Sequence, residues 1–185
     1  MTEQLWAPWR LKYIEGADKK QGCIFCEFPA MGEPTDSTNL IVYRGPLAYI
    51  ILNAFPYSNG HLMVVPFRHT DSLVNYTDAE MLEIMRLTRL SQRLLTAAFK
   101  PDGFNLGVNM GRVAGAGIAD HLHWHIVPRW HGDTNFMPVL ADVRVIPESL
   151  SAVYDRLRAV LPISLEQDIV PVSTEARNGQ VICRS

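Results

Sequence analysis

The chain has 185 residues, 48% of them hydrophobic and 19% charged, which suits one compact domain and excludes both a disulfide-held miniprotein and an intrinsically disordered segment. Seventeen Lys and Arg against nineteen Asp and Glu leave a net charge of −2. That balance excludes a polybasic duplex-DNA binder working through counterion release, though a small local patch can still hold a few phosphates.

No apolar run approaches the roughly 20 residues that cross a bilayer, and Met1 to Gln4 shows no basic region leading into an apolar stretch. The expectation is a cytoplasmic protein with neither a membrane nor a nucleic acid as partner. The first 22 residues read as an N-terminal arm, whose Trp6 and Trp9 pack on the body or on a partner subunit. Cys23 and Cys26 then stand in a Cys-x-x-Cys spacing that serves metal or redox chemistry, whereas Cys183 lies in a polar tail. A loop is expected from Pro29 to Asn39. Apolar stretches Leu40–Tyr43 and Leu47–Leu52, broken by Arg44-Gly45-Pro46, predict a hairpin. Phe55 to Gly60 is a turn, and His61–Pro66 is rich enough in branched residues to be a strand.

Thr77 followed by Glu80 makes a capping box, and apolar residues at near-helical spacing (Met81, Leu82, Ile84, Met85, Leu87, Leu90, Leu94 and Leu95) predict a helix running to Phe99. Pro101-Asp102-Gly103 stops it. Phe104–Met110 is the next strand, Gly111–Gly117 a glycine-rich loop, and His121–Pro128 an alternating strand. Pro147–Leu161 predicts an amphipathic helix with Ala152, Val153, Leu157 and Val160 inward, and periodicity fades from about Ser164. Strands and one long helix without a βαβ rhythm indicate an α+β fold with a largely antiparallel sheet.

Half of the six histidines fall in His121-Leu122-His123-Trp124-His125. At strand spacing the three imidazoles share one face while Leu122, Trp124 and Ile126 face the other. Such a row serves metal ligation or nucleophilic and acid/base work near neutral pH. The glycine-rich loop before it supplies closely spaced backbone N–H groups suited to phosphate oxygens, without matching the dinucleotide or P-loop fingerprints.

His-x-His-x-His followed by two apolar residues resembles the histidine triad superfamily of nucleotidyl transferases and hydrolases. The resemblance extends to Leu52–His69, like that family's strand-turn-strand, and to Cys23–Cys26, like its zinc-binding start. Trp6-Ala7-Pro8-Trp9-Arg10 and Trp130–Val139 resemble the bacterial branch associated with diadenosine tetraphosphate phosphorylase activity. It implies a histidine triad (HIT) fold at residues 23–130: an antiparallel half-barrel sheet with one long helix, followed by a C-terminal extension at 131–185, assembled as a homodimer. It also implies His123 as the nucleophile toward the α-phosphorus, His125 on the reacting phosphate or bridging oxygen, and His61 orienting the cluster. Asn53 would bind ribose; Ile24, Phe25 and Leu52 would line the base pocket; Asn109, Gly115, Ala116 and Gly117 would cradle phosphates. A structural zinc would sit on Cys23, Cys26, His69 and His121, with redox use of the cysteines as its competitor.

Many family members carry Gln and then Ser or Thr shortly before the triad, where this chain has Ala116-Gly117-Ile118-Ala119-Asp120. Fewer side chains beside the phosphorus would admit inorganic phosphate as acceptor, with Arg112 and Arg129 the nearest cations to hold it. The expected reaction is therefore phosphorolysis of diadenosine tetraphosphate to ATP and ADP through a nucleotidyl-histidine. The alternatives are a hydrolase of dinucleoside polyphosphates or nucleoside phosphoramidates, a zinc-stabilised nucleotide-binding module without turnover, and a metallohydrolase whose three histidines share one metal.

Overall fold

A computed structural model describes residues 22–133 and 146–168. The Trp6 and Trp9 arm, the 134–139 part of the downstream motif and Cys183 lie outside the described residues. Among the described residues, five strands form one antiparallel sheet in the order β1-β2-β3-β5-β4. They are β1 (Ile41–Arg44), β2 (Ala48–Leu52), β3 (Leu62–Pro66), β4 (Gly103–Val108) and β5 (Trp124–Arg129). The helices are α1 (Ile24–Ala30), the one-turn α2 (Asp36–Asn39), α3 (Asp78–Phe99) and α4 (Leu150–Asp168). No helix among them is long and apolar enough to cross a membrane.

The sequence places α3 to the residue. The Thr77 hydroxyl accepts the Glu80 backbone N–H and the Glu80 carboxylate accepts the Thr77 N–H, closing the capping box. Ile84, Leu87, Leu90, Leu94 and Leu95 are buried, but Leu82 and Met85 face outward. The expected loop at Pro29–Asn39 instead contains the end of α1, a 3-10 turn at Glu33–Thr35 and α2. Arg44 holds this segment down, donating to the Asp36 carboxylate and to the Pro29 carbonyl. Leu40, at φ 62°, turns the chain from α2 into β1.

Alternation along the strands gives the sheet two buried faces, and this decides where the chemistry sits. Ala48, Ile50, Leu52, Leu62, Val64, Leu122, Trp124 and Ile126 pack against α3 and α4. Tyr49, Ile51, Met63 and Val65 pack with Phe25 on the opposite face. That second face carries the histidines. The described part of the C-terminal extension belongs to the main core: Val153, Tyr154, Leu157 and Leu161 of α4 join the α3 side, and the Tyr154 hydroxyl donates to the Ile41 carbonyl at 3.2 Å. Ala152 is exposed, contrary to expectation, because Val153 and Tyr154 occupy the inward arc. Ser164, where order was expected to fade, is buried inside α4.

Candidate active site

The histidine row departs from a simple strand. β5 begins only at Trp124, so His121, Leu122 and His123 precede it. The Leu122 N–H goes to the Thr70 carbonyl at 2.8 Å, so this approach is held by a loop. The alternation persists nonetheless: Leu122, Trp124 and Ile126 join the helix-side core, while His123 and His121 contact Phe25 on the other face, with ring centroids 4.8 and 5.5 Å away.

Hydrogen bonds fix the proton on each imidazole. His123 Nδ1 lies 2.9 Å from the His121 carbonyl oxygen. A carbonyl can only accept, so Nδ1 carries the hydrogen and Nε2 presents its lone pair. His123 is 5% exposed. Burial, partly offset by the same carbonyl bond, holds its pKa below the ordinary imidazole value, so the ring is neutral at pH 7.

A second chain of bonds runs through His61, which is fully buried immediately before β3. The Tyr57 backbone N–H donates to His61 Nδ1 at 3.1 Å, and the Asn53 side-chain amide lies 3.3 Å from the same nitrogen. The His61 hydrogen therefore sits on Nε2, which reaches His125 Nδ1 at 3.0 Å. His125 Nδ1 accepts it, and His125 carries its own hydrogen on Nε2. The Tyr57 ring lies against both imidazoles, 4.7 Å from His61 and 5.9 Å from His125. Gly60, one residue before His61, lies close against α3. Its φ is +76°, and a Cβ there would stand 2.9 Å from the Leu95 side chain.

Cys23, Cys26, His69 and His121 form a third constellation, their candidate ligand atoms all within 4.8 Å of one another. His121 Nδ1 is 3.3 Å from Cys23 Sγ and 3.5 Å from Cys26 Sγ, and His69 Nδ1 is 3.4 Å from Cys26 Sγ. These separations match the edges, about 3.5 Å, of a tetrahedron with Zn–S near 2.3 Å and Zn–N near 2.05 Å. The His121 Nε2–H donates to the Pro66 carbonyl at 2.9 Å, leaving Nδ1 as the lone-pair nitrogen facing the thiols. Burial pushes the Cys23 thiol up to about 11 and the His121 imidazole down to about 4. A cation offsets the cost of a buried thiolate pair.

The three triad rings thus divide their work. His121 Nδ1 faces the cysteines, His123 Nδ1 is occupied by a backbone carbonyl and His125 Nδ1 by His61, so they do not converge on one shared metal. Among the described residues, the one metal-competent group is the Cys₂His₂ cluster.

Other expected residues divide between the faces. Ile24 and Phe25 border the histidine-face cluster, as does Ile118 from the glycine-rich loop. Leu52 does not: it is 1% exposed within the helix-side core, because it shares the parity of Ala48 and Ile50. Asn53 is drawn into the histidine chain, its Oδ1 accepting the Phe55 N–H at 2.9 Å. Asn109 and Gly111 precede a 3-10 turn at Arg112–Ala114, after which Gly115 adopts φ 92°, Ala116 is buried and Gly117 half-buried. Arg129 is engaged elsewhere, bonding the Asp133 carboxylate and Asn105 Oδ1. Sequence reasoning did not single out Tyr57 or the Pro66 carbonyl, nor Tyr49, whose hydroxyl anchors the Phe25 carbonyl at 2.8 Å. Tyr57 was accessible to it, since four residues before His61 is the reach of a turn amide.

Comparison with known proteins identifies the family. The HIT domain model matches residues 35–132. The AP-4-A phosphorylase of Mycobacterium tuberculosis (strain ATCC 25618 / H37Rv) is 40% identical over 153 residues, 80% of this chain and 78% of that protein. The bis(5'-adenosyl)-triphosphatase of Saccharomyces cerevisiae (strain YJM789) is 31% identical over 94 residues, 50% of this chain and 45% of its own length. Among solved structures, a Zn-bound histidine triad family protein from Mycobacterium smegmatis superposes with a TM-score of 0.60 at 27% identity, covering 79% of this chain and 96% of that one. With its sheet, its histidine cluster and these matches, the chain belongs to the HIT domain family.

Proposed function

We propose that the protein is a nucleotidyltransferase that cleaves diadenosine tetraphosphate by phosphorolysis through an adenylylated His123. The observation that carries this reading is the bond from His123 Nδ1 to the His121 carbonyl, which commits Nε2 as a neutral nucleophile in a buried site. His123 Nε2 attacks the α-phosphorus: the P–N bond forms, the bond to the bridging oxygen breaks, and ATP departs. The His125 Nε2–H donates to the bridging oxygen as its charge develops. An oxygen of inorganic phosphate then attacks the same phosphorus, the P–N bond breaks, and ADP leaves with His123 restored.

Similarity to the mycobacterial AP-4-A phosphorylase supports this substrate. The small side chains of Ala116 and Gly117 support phosphate as the acceptor, because they leave room beside the phosphorus. Backbone N–H groups of the 109–117 loop hold phosphate oxygens, Asn53 meets the ribose, and Ile24 with Phe25 meets the base.

Cys23, Cys26, His69 and His121 would hold zinc as a closed four-ligand site, which supplies structural stiffness rather than an activated water. The chain's own residues carry that stiffness to the nucleophile: once the His121 ring is fixed at both nitrogens, its carbonyl is fixed too, and with it the His123 tautomer. The exposed edge of β4 suits pairing with a second copy in a homodimer, and the protein acts in the cytoplasm.

The test is single-turnover incubation with diadenosine tetraphosphate, with and without inorganic phosphate. ATP released with or without phosphate, with ADP formed only when phosphate is present, supports phosphorolysis; ATP and AMP irrespective of phosphate would show a hydrolase. Binding without any adduct would show a nucleotide-binding module.

A further inference from the structure

β4 pairs with β5 in six unbroken steps, from Gly103↔Arg129 to Val108↔Trp124. Gly103, Asn105 and Gly107 therefore share the sheet face of Arg129, Val127 and His125, the face of the histidines. Phe104 and Val108 pack on the helix-side core instead. Two of three consecutive positions on the histidine face thus carry no side chain.

Glycine is among the residues least favoured in a strand interior, so its use here needs a cause. Conformation is not the cause, because neither glycine has a positive φ. Nor is a bulge, because the register is regular. Crowding is not the cause either: among the described residues a Cβ at either position would meet nothing within 4 Å. What remains for a strand glycine is close approach of a ligand or of another backbone, and beside the imidazole of His125 a ligand fits.

The bare strip follows β5 from His125 to Arg129, four residues or about 13 Å at 3.3 Å each. Its one side chain, Asn105, is held to Arg129 at 2.8 Å. On its other flank His125 has Met63 as strand partner and His61 at 3.0 Å.

We infer that this strip seats the leaving half of a two-ended nucleotide, and that Gly107 sets how large a leaving group the site accepts. The inference rests on the reading that His125 serves the bridging oxygen. The chain of atoms beyond that oxygen must then pass His125 on the side away from His61 and Met63. Phosphates lie at the His125 end. The far end, where Asp133 matches the charge of Arg129, takes the uncharged nucleoside.

The test compares two substrates that deliver the same adenylyl group to His123: diadenosine tetraphosphate, which releases ATP, and adenosine 5′-phosphoramidate, which releases ammonia. Single-turnover adenylation is measured for wild type, Gly107→Ala and Gly107→Val, with sedimentation velocity on each. Gly107→Val slows the two-ended substrate by about tenfold or more and leaves the phosphoramidate within about twofold, with Gly107→Ala falling between. Equal losses on both substrates, no loss on either, or a loss that tracks a change in oligomeric state would overturn the inference. Failure of wild type to form any His123 adduct would instead remove the underlying reaction, and the inference with it.

Discussion

Replacing His61 with phenylalanine probes the bond chain that sets the proton on His125. His61 is fully buried, accepts the Tyr57 N–H and donates to His125 Nδ1. Phenylalanine keeps the volume but provides neither function. The Tyr57 N–H, left without its acceptor, costs about 1–3 kcal/mol of stability. The larger effect is chemical: without the His61 donor, neutral His125 can carry its hydrogen on Nδ1 and loses the enforced Nε2–H that meets the bridging oxygen. Removing a positioned proton donor costs about 10² to 10⁴ in rate. Because the ring is tuned rather than deleted, the lower end applies, about 10²-fold in the adenylation rate with KM within about threefold. Rapid-quench measurement of the adduct, with urea unfolding to confirm a folded variant, checks this. A folded His61→Phe variant adenylating within about threefold of wild type would refute the assigned proton chain.

Further outcomes follow from other contacts. Cys26→Ser, or removal of zinc by chelation, abolishes one equivalent of bound metal; a site held about 1,000-fold above its Kd contributes about 4 kcal/mol, so Tm falls by about 10 °C, and unchanged Tm and metal content would contradict the four-ligand assignment. Glu80 titrates at about 2 because the Arg68 guanidinium and the Thr77 cap favour its charged form. A depressed carboxylate stabilises the fold above its unfolded pKa, near 4.3, and loses that contribution as pH falls toward 2; the stability gap between wild type and Glu80→Gln therefore shrinks across pH 4.5 to 2 in urea titrations, and a constant gap would be the contrary result. Leu106, 55% exposed on the edge strand β4, would be buried in the proposed homodimer, so Leu106→Lys is expected to shift sedimentation from dimer to monomer, whereas a wild-type monomer would contradict the assembly.

Much of the fold was legible because local rules and tertiary packing agree. Thr77 and Glu80 announce α3, and the period of two places Leu122, Trp124 and Ile126 opposite the imidazoles even where the chain is not yet a strand. The start of β5 was not legible. His121 gives its ring to the cysteine cluster and to Pro66, and its carbonyl to His123, so ladder pairing waits until Trp124. These partners are 55 residues or more away in the chain for the ring, and only tertiary structure brings them in. The helices between Pro29 and Asn39 were hidden for a similar reason, since Arg44 stabilises them from outside the segment. Leu52 shows a readable signal passed over: the parity it shares with Ala48 and Ile50 places it under α3, away from the histidines.

The most direct test of the central claim is mass mapping of a quenched wild-type reaction with diadenosine tetraphosphate. The account predicts one adenylyl group on His123, bound through nitrogen, that disappears with formation of ADP when inorganic phosphate is added. An adenylyl group on any other residue, or undiminished turnover by His123→Asn, would contradict it.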